Sequence, residues 1–595
     1  MKYKQIVLRS AAYLLCVILT VALSGCRRVI ERDPITSEYY DYIPIENEED
    51  DNSSENSDSS KESSGSDSRS DSDSSQSSHG QASGNNSNTT NRTPGESEQG
   101  SLVNGVMVFT PEEFGAKGDG VTDDGAAIND AIEAARSYTA TNTGKSAAVQ
   151  FKKNVSYIAQ TQNFSGSASN SSVMLSGAKN VSLKGDNTTI VGKPNWRYLL
   201  ISGCTDVSVS GIDFTYDTPV ACRAKVTAVN NNIITFEVPE WFTKAVEKNK
   251  QPSSWFAIPA NGRRDHSWIS TMKKTDKTHC TVTFSSGGYT IMYPGTYVYL
   301  PTPGYSHIGT AVAILHNSGS VTVENLNIRN AAQFVFQVND NSAKIIFNKV
   351  KLAPKNSGDC ATVAWRDCIH AKDNRGSLTF NSCEFGGTYD DIFNISSTML
   401  EITKITDGTL LNVKGLDYGN GAFVGIKAGD HVTVFNPTTD KYYGKAEITE
   451  VVRQSGANIQ VKINKNIGAE AGAYMYIEEL GAPGTTINGG KFDGSVRIRA
   501  SGTVISDASF VLTHMWTAYE GNDGAVEGPI PENITYRRCS FSGSDPSEGT
   551  RITFNCKLIS GGAAKSYNVK NIVFEKCKFA YAGIIDRSNP GVIIK

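Results

Sequence analysis

The sequence lacks features that would assign it to several common protein classes. It has no excess of positive charge, because 57 lysines and arginines face 61 aspartates and glutamates for a net charge of −4, whereas a general nucleic-acid binder needs a concentrated basic surface. It lacks the long apolar spans of an integral membrane protein. Its 19 prolines and 54 glycines exclude a collagen-like chain, and its cysteines and histidines show no zinc-ligand spacing. We therefore predict no nucleic-acid partner, no metal ligands and no cofactor.

What is present begins with an export signal. Three positive residues precede an apolar stretch at 11–23, which is short for a membrane span and typical of a signal peptide. The stretch ends in Leu-Ser-Gly-Cys at 23–26, which resembles the lipobox of bacterial lipoproteins. This resemblance implies that residues 1–25 are removed and that Cys26 is lipidated. The chain would then be anchored to the bacterial cell membrane and face the extracellular side. A plain secretory signal with an unrelated cysteine is the alternative.

Residues 26–104 have the composition of a tether. Between 51 and 90 the chain carries 17 serines and one apolar residue, Ala82. Such a segment buries too little apolar surface to offset its conformational entropy. The sequence therefore predicts a disordered spacer over 26–104.

The remaining chain repeats one short pattern. Each copy has alternating apolar residues, then two mostly polar residues, then alternating apolar residues again; copies occur at 207–214, 321–328, 345–352, 378–385, 534–541 and 572–579. Alternation with period two marks strands with one buried face, and stacked short units form a solenoid. We predict an all-β fold, a right-handed parallel β-helix. Cys383, Cys539 and Cys577 replace aliphatic residues of the pattern and are expected to be buried thiols.

Two stretches interrupt the repeat and one segment opens it. Residues 215–309 and 397–481 contain strands without the repeated pattern, which predicts two small inserted β-barrel-like domains. The solenoid would then occupy 105–214, 310–396 and 482–595. The segment at 114–135 resembles the N-terminal capping helix of pectate-lyase-like β-helices, with Thr122, Asp123 and Asp124 suited to cap it.

Three aspartates spaced by about one coil length suggest a catalytic site. Asp367 precedes Asp390 by 23 residues and Asp391 by 24, about one coil of a β-helix. The acids should therefore lie on adjacent coils, where close carboxyl groups acquire different pKa values, as a general acid and a general base require. Trp365 and Tyr389 would offer apolar faces to a sugar. In the alternative reading, Asp390 and Asp391 cap a turn and Asp367 is an ordinary surface acid.

The stretches 367–376, 378–385 and 390–394 resemble glycoside hydrolase family 110, as do 212–217, Trp516, Tyr519 and 527–533. The resemblance implies an inverting, metal-independent exo-acting α-1,3-galactosidase, with Asp367, Asp390 and Asp391 as catalytic acids and terminal galactoside-type glycans as substrate. The residues expected to hold the sugar are Trp365, His370, Tyr389, Trp516 and Glu527. Departures from the family pattern at Arg366, Tyr389 and 395–397 leave the exact sugar and linkage open.

Two other functions stay open. The first is a polysaccharide lyase or another pectinolytic β-helix enzyme. A lyase needs Ca²⁺ held by acids and a basic side chain beside them, for which Arg366, Lys372 and Arg375 are candidates, unless they are solvated turn residues. A non-catalytic glycan-binding surface protein would keep the aromatic residues but leave three acids at coil spacing unexplained.

Overall fold

The computed structural model describes residues 99–161, 170–193, 195–249, 256–259, 267–287, 292–304, 310–352, 364–416, 425–455, 458–516, 527–543, 549–554 and 568–595. The predicted signal peptide, Cys26 and most of the predicted tether therefore lie outside the described residues. In the part of the chain that is described, no helix is both long and apolar enough to cross a membrane.

The N-terminal section of the solenoid consists of strands and one α-helix: β1 (Ser101–Val103), β2 (Val106–Phe109), β3 (Asp119–Asp123), α1 (Gly125–Thr141), β4 (Ser146–Gln150), β5 (Ser156–Ala159), β6 (Ser171–Ser176), β7 (Val181–Gly192), β8 (Arg197–Ser202) and β9 (Val207–Tyr216). Strand β1 pairs with β2 in an antiparallel hairpin. The last residues of the predicted tether, 101–103, are thus part of the folded body, because their backbone groups are paired.

The first insertion is a closed barrel with one helix: β10 (Ala221–Asn230), β11 (Ile233–Glu237), α2 (Glu240–Lys248), β12 (Phe256–Pro259), β13 (Ser267–Lys274), β14 (His279–Gly287) and β15 (Tyr297–Pro301). We call it barrel 1. The solenoid then resumes with β16 (Thr310–Leu315), β17 (Val321–Glu324), β18 (Asn327–Ile328), β19 (Phe334–Asn339), β20 (Ile345–Asn348), β21 (Lys351–Leu352), β22 (Ile369–Lys372), β23 (Leu378–Asn381), β24 (Glu384–Phe385) and β25 (Asp391–Thr398).

The second insertion, barrel 2, is also closed: β26 (Leu400–Thr406), β27 (Leu410–Gly415), β28 (His431–Asn436), β29 (Lys441–Ser455), β30 (Asn458–Ile463) and β31 (Tyr474–Ile477). The C-terminal section of the solenoid follows: β32 (Thr486–Asn488), β33 (Lys491–Ile498), β34 (Val504–Ser506), β35 (Ser509–Trp516), β36 (Glu527–Gly528), β37 (Glu532–Arg537), β38 (Ser540–Gly543), β39 (Ile552–Thr553), β40 (Lys570–Glu575), β41 (Lys578–Phe579) and β42 (Val592–Ile594). Short 3₁₀ helices lie at Pro111–Phe114, Glu478–Leu480 and Ala582–Ile584.

Three parallel ladders form the faces of the solenoid. The first contains β2, β4, β7, β9, β17, β20, β23, β32, β34, β37, β40 and β42. The second contains β3, β5, β7, β9, β18, β21, β24, β33, β35, β38 and β41. The third contains β6, β8, β16, β19, β22, β25, β33, β35 and β39. The predicted class, an all-β parallel β-helix with two inserted β-barrels, is confirmed.

The core is a stack of apolar side chains from successive coils. Phe347 and Phe380 lie one coil apart with ring centroids 4.8 Å apart and planes 10° apart. Each fully buried side chain of this size contributes about 1.5–3 kcal/mol. At one corner, Asn317, Asn341 and Asn374 form a buried ladder in which each amide donates to the carbonyl oxygen of the next side chain, over 2.8 and 2.9 Å. These amides satisfy polar groups that the core would otherwise leave unpaired.

Helix α1 packs against the first coils through Ile128 and Ile132, which are buried in the solenoid core. Its N-terminus agrees with the prediction only in part: the Asp123 carboxylate accepts the N–H of Gly125, the first helix residue, over 3.0 Å. Asp124 occupies the N-cap position, but its carboxylate accepts the N–H groups of Lys117 and Gly118 and no helix N–H. Thr122 donates to Asp119 and takes no part in the cap.

The cysteines of the repeat are free thiols. Cys383 and Cys539 are buried, as the pattern predicts. Cys577 is only half-buried, since it lies near the C-terminal end of the solenoid and fewer coils cover it.

Candidate active site

The candidate site lies on the outer face of the third ladder. Along β22, residues alternate between the core and the outside, so that Ile369 and Ala371 point inward while His370 and Lys372 point outward. The parallel register places Asn394 of β25 and Arg497 of β33 at the same position as His370 on neighbouring strands. This row of polar side chains is fixed by the ladder and not by a flexible loop.

The three predicted catalytic acids are brought together at the start of these strands. Asp367 precedes β22, and the backbone N–H of Asp391 donates to its Oδ1 over 3.2 Å. One carboxylate oxygen from each of Asp367, Asp390 and Asp391 lies within 4.8 Å of one from each of the others. Asp367 and Asp391 are buried, while the Asp390 side chain is 35% exposed. Asp390 is therefore the acid most open to solvent.

Each acid has a basic partner. His370 Nδ1 lies 2.7 Å from Asp367 Oδ2, Arg366 lies 3.5 Å from Asp390, and Arg497 Nε lies 3.0 Å from Asp391 Oδ2. The ring of His370 also packs on Phe334, with centroids 4.8 Å apart. Among the described residues these acids are the one group that could hold a metal ion. A divalent ion there would compete with three nearby basic side chains.

Burial alters the pKa of one of the three acids, Asp367. The pKa of Asp367 is raised, mainly because burial disfavours its charged form and also because Asp390 is close; the hydrogen bond with His370 opposes this increase. Asp367 therefore keeps its proton to higher pH than an exposed aspartate does, as a proton donor requires. Arg497 beside Asp391 stabilises a negative charge there.

Glu527 joins the site from strand β36, which pairs antiparallel with the end of β25. Its carboxylate accepts hydrogen bonds from Arg499 over 2.9 Å and from the Asn394 amide over 3.3 Å. Burial alone would raise its pKa, but the nearby positive charges, first Arg499 and then Lys372, lower the pKa to about 2. Glu527 is thus a permanently ionised anchor and is unsuited to donate a proton.

One of the two aromatic residues predicted beside the acids is placed differently from expectation. Trp365 is 1% exposed and belongs to the solenoid core. Its ring stacks on Tyr389, with centroids 5.1 Å and planes 22° apart. Trp365 therefore offers no solvent-facing ring to a sugar, which corrects that prediction. Tyr389 is half-buried and supports the backbone immediately before Asp390.

The structure describes only some of the other predicted residues. His370 and Glu527 lie at the site, as described above. Trp516 is the last residue of β35, and its side chain lies outside what the structure describes. Tyr519 is also outside the described residues.

The candidate lyase bases are engaged elsewhere or buried. Arg375 forms a two-pronged ion pair with Asp430 of barrel 2, over 2.8 and 2.6 Å, and contacts the carbonyl of Gly425. Lys372 is 3% exposed, and burial lowers its pKa. Neither residue is a solvated turn residue.

Sequence reasoning missed Asn394, Arg497 and Arg499 as site residues. Arg499 and Asn394 are 105 positions apart in sequence, because barrel 2 intervenes between their strands. No coil-length spacing connects them, so the repeat pattern carried no signal for this pairing.

These features define a parallel β-helix with a cluster of three carboxylates on the outside of its third ladder. No established family profile matches the chain. It is similar to proteins named alpha-1,3-galactosidase A: one from Bacteroides fragilis strain YCH46 is 21% identical over 278 residues, which are 43% of this chain and 45% of that protein. One from a second Bacteroides fragilis strain is 26% identical over 133 residues, 22% of each chain. The chain thus spans less than half the length of these relatives.

Solved structures with a similar fold are more distant. The mannuronan C-5 epimerase AlgE4 A-module of Azotobacter vinelandii has 10% identity and a TM-score of 0.36, and the match covers 82% of this chain and 94% of that one. The endo-xylogalacturonan hydrolase from Aspergillus tubingensis has 9% identity and a TM-score of 0.35, with 82% and 98% covered.

Proposed function

We propose that this protein is a glycoside hydrolase that removes terminal, α-galactoside-type sugars from glycans. The observation that carries the proposal is the placement of Asp367, a buried carboxyl group with a raised pKa, within 4.8 Å of the carboxylates of Asp390 and Asp391. A glycosidase needs one protonated and one ionised carboxyl group beside the scissile bond. The relatives named alpha-1,3-galactosidase A support the choice of sugar.

The roles of the acids follow from their surroundings. Asp367 donates its proton to the glycosidic oxygen, and the bond between that oxygen and the anomeric carbon breaks. A carboxylate, Asp391 or Asp390, takes a proton from water as the water oxygen bonds to the anomeric carbon. Arg497 keeps Asp391 charged and oriented through their ion pair. Glu527, held by Arg499, accepts hydrogen bonds from sugar hydroxyl groups and stays ionised throughout.

The stereochemical course is a separate prediction. The sequence resemblance implies inversion, in which the two carboxyl groups lie about 6.5–9.5 Å apart to admit water. The nearest oxygens of this cluster are closer, within 4.8 Å, so inversion rests on the resemblance alone. The anomeric configuration of the first-formed sugar, read by NMR during hydrolysis, tests it directly. A product with the configuration of the substrate contradicts inversion without contradicting hydrolysis.

A lyase is less well supported. Its base must be a side chain with a free lone pair beside the acids, whereas Arg375 is committed to Asp430 and Arg366 lies against Asp390. Lys372, whose pKa burial lowers, is the remaining candidate. A purely glycan-binding protein would not need a buried carboxyl group with a raised pKa, such as that of Asp367.

An activity screen decides among these functions. Nitrophenyl α- and β-glycosides and α-1,3-linked galactosyl oligosaccharides would be incubated with the wild-type protein, Asp367→Asn and Asp507→Asn, the last an exposed acid paired with Arg538. We expect sugar release by the wild type and by Asp507→Asn only. Absorbance from an unsaturated uronide product would identify a lyase instead. Glycan binding with neither product would identify a binding protein.

The anchor is proposed on the lipobox-like residues 23–26 alone. Lipidation of Cys26 would place the enzyme at the extracellular side of the cell membrane. Protein from cells should then partition into a detergent phase, and Cys26→Ser should leave it unlipidated. Wild-type protein found entirely in the culture medium with an unmodified N-terminus would refute the anchor.

A further inference from the structure

The outer face of barrel 1 carries a set of exposed side chains next to the candidate site. Strands β10 and β15 are antiparallel neighbours, with Arg223 opposite Tyr299 and Lys225 opposite Tyr297. The alternate residues of β15, Val298 and Leu300, are buried in the barrel core. Arg223, Lys225, Tyr297 and Tyr299 therefore share one face, which we call the β10–β15 face.

This face contacts the residue that precedes one of the proposed catalytic acids. The ring of Tyr299 lies 6.1 Å from the ring of Tyr389, and both pack against the solenoid core. Tyr389 directly precedes Asp390, the most exposed of the three acids. Residues two positions apart on a strand are separated by about 6.8 Å, so Tyr297 lies about that far from Tyr299 along β15. The contact between Tyr299 and Tyr389 thus connects this face to the coil that carries Asp390.

The outer part of the face is suited to bind a saccharide. Tyr297 is 39% exposed, and the Arg223 guanidinium lies 3.8 Å from the centre of its ring. Cation–π contact of this kind holds an exposed ring in one orientation, so less conformational freedom is lost when a ligand stacks on it. A tyrosine ring offers a large apolar surface with a hydroxyl group at its edge. Arg223 and Lys225 add hydrogen-bond donors for sugar hydroxyls.

The charges on the face favour a sugar over a strongly anionic partner. Lys225 lies 3.8 Å from Glu237 on the neighbouring strand, which partly neutralises it. Arg223 is already stacked on Tyr297. The face therefore presents hydrogen-bond donors beside an aromatic ring, without a concentrated positive potential.

We propose that the β10–β15 face binds the saccharide on the leaving-group side of the scissile bond. This inference rests on the proposed function, because the leaving group is defined by hydrolysis at Asp367, Asp390 and Asp391. The terminal sugar sits at the acids, and the next unit of the glycan follows Tyr389 and Tyr299 toward Tyr297. Barrel 1 thereby selects which glycan is cleaved, while the solenoid performs the cleavage.

Two substrates with the same terminal sugar test the proposal. Nitrophenyl α-galactoside has no saccharide leaving group, whereas an α-1,3-linked galactosyl trisaccharide has one. Tyr297→Ala and Arg223→Ala should lower kcat/KM for the trisaccharide about five- to tenfold, as expected for loss of an aromatic contact, and leave nitrophenyl hydrolysis within twofold. The control is Ile233→Ala, which removes another exposed apolar side chain of barrel 1, 43% exposed, and should change neither.

Direct binding keeps this inference distinct from the proposed function. Calorimetric titration of the trisaccharide into the wild-type protein and into Tyr297→Ala should give weaker binding by the variant, whether or not the sugar is hydrolysed. Three results would overturn the proposal. The variants could lose kcat/KM equally on both substrates, or they could leave the trisaccharide kinetics unchanged. The wild-type protein could also fail to bind the trisaccharide, or Tyr297→Ala could leave that binding unaffected. A wild-type protein that binds the trisaccharide through Tyr297 but hydrolyses neither substrate refutes the proposed function and retains a saccharide-binding face.

Discussion

Asp367 and Asp391 lie on neighbouring coils of the solenoid, and the backbone N–H of Asp391 donates to Oδ1 of Asp367 over 3.2 Å. In turn, the N–H of Cys368 donates to the backbone carbonyl of Asp391 over 2.8 Å. The spacing of the two acids is therefore set by the same hydrogen bonds that stack the coils. Groups that regular strands hold in place keep their geometry better than groups on loops. The proposed proton transfer by Asp367 and Asp391 would require such fixed geometry.

Removing the charge of individual acids tests their roles. Asp367→Asn and at least one of Asp390→Asn or Asp391→Asn should lose about 10²-fold or more in kcat, because positioned proton transfer commonly contributes about 10²–10⁴-fold. Steady-state kinetics on the best substrate of the screen measures the loss, and circular dichroism checks that the fold persists. Near-wild-type turnover by all three single variants would remove this cluster as the catalytic centre.

In the proposed mechanism, His370 adjusts the pKa of the proton donor, Asp367. Its hydrogen bond opposes the effect of burial on Asp367, so His370→Leu should raise the pKa of Asp367 further. A general acid loses activity as pH rises through its pKa, and the alkaline limb of kcat/KM should therefore move to higher pH in the variant. His431→Leu, which removes an exposed histidine paired with Glu479 on barrel 2, is the control and should leave the profile unchanged. If the alkaline limb of the His370→Leu profile stays in place or moves to lower pH, Asp367 is not the general acid.

The parts of the site that are predictable from sequence are those within one uninterrupted run of coils. The repeated pattern at 378–385 locates β23 and β24, which lie between the acids in sequence. The spacing from Asp367 to Asp390 and Asp391 matches one coil. No long insertion separates these strands, so residues one coil length apart in sequence lie next to each other in the fold.

The remaining features depend on information that the pattern does not contain. Arg497 and Arg499 reach the site because β33 pairs with β25 after the chain has completed barrel 2. Trp365 precedes β22 in a turn, where the period-two alternation that separates inside from outside is absent. Its burial follows from the ring of Tyr389 on the next coil, a contact that spacing alone does not predict.

The ion pair between Arg375 and Asp430 should stabilise the attachment of barrel 2 to the solenoid. Their side chains are 17% and 5% exposed, and Asp430 also accepts the backbone N–H of Lys427. Arg375→Met leaves a buried carboxylate without its cation, which typically costs about 3–5 kcal/mol. Thermal and urea unfolding measure this cost. Arg538→Met, which breaks an exposed pair with Asp507, should have a much smaller effect; equal effects would mean that the buried pair contributes no special stability.

Asp340 should make stability depend on pH. Burial, and then the proximity of Asp373, raise its pKa to about 7, although Lys372 opposes this; His316 lies 3.7 Å away. An aspartate in an unfolded chain ionises near pH 3.9. The stability that Asp340 contributes is thus fully present below about pH 4 and is lost as the pH rises through about 7.

Asp340→Asn stays neutral and avoids that loss. The unfolding free energy of the variant relative to wild type should therefore increase between pH 4 and pH 8, by on the order of 2 kcal/mol given partial solvent exposure. Asp507→Asn provides a control of opposite sign, because the hydrogen bond with Arg538 lowers the pKa of Asp507. The stability that ionised Asp507 contributes is lost only as the pH falls below its unfolded pKa of about 3.9. Asp507→Asn should therefore be less stable than wild type by a nearly constant amount from about pH 5 to pH 8. A difference between Asp340→Asn and wild type that is the same at both pH values would show that Asp340 ionises in the folded protein as it does in the unfolded chain.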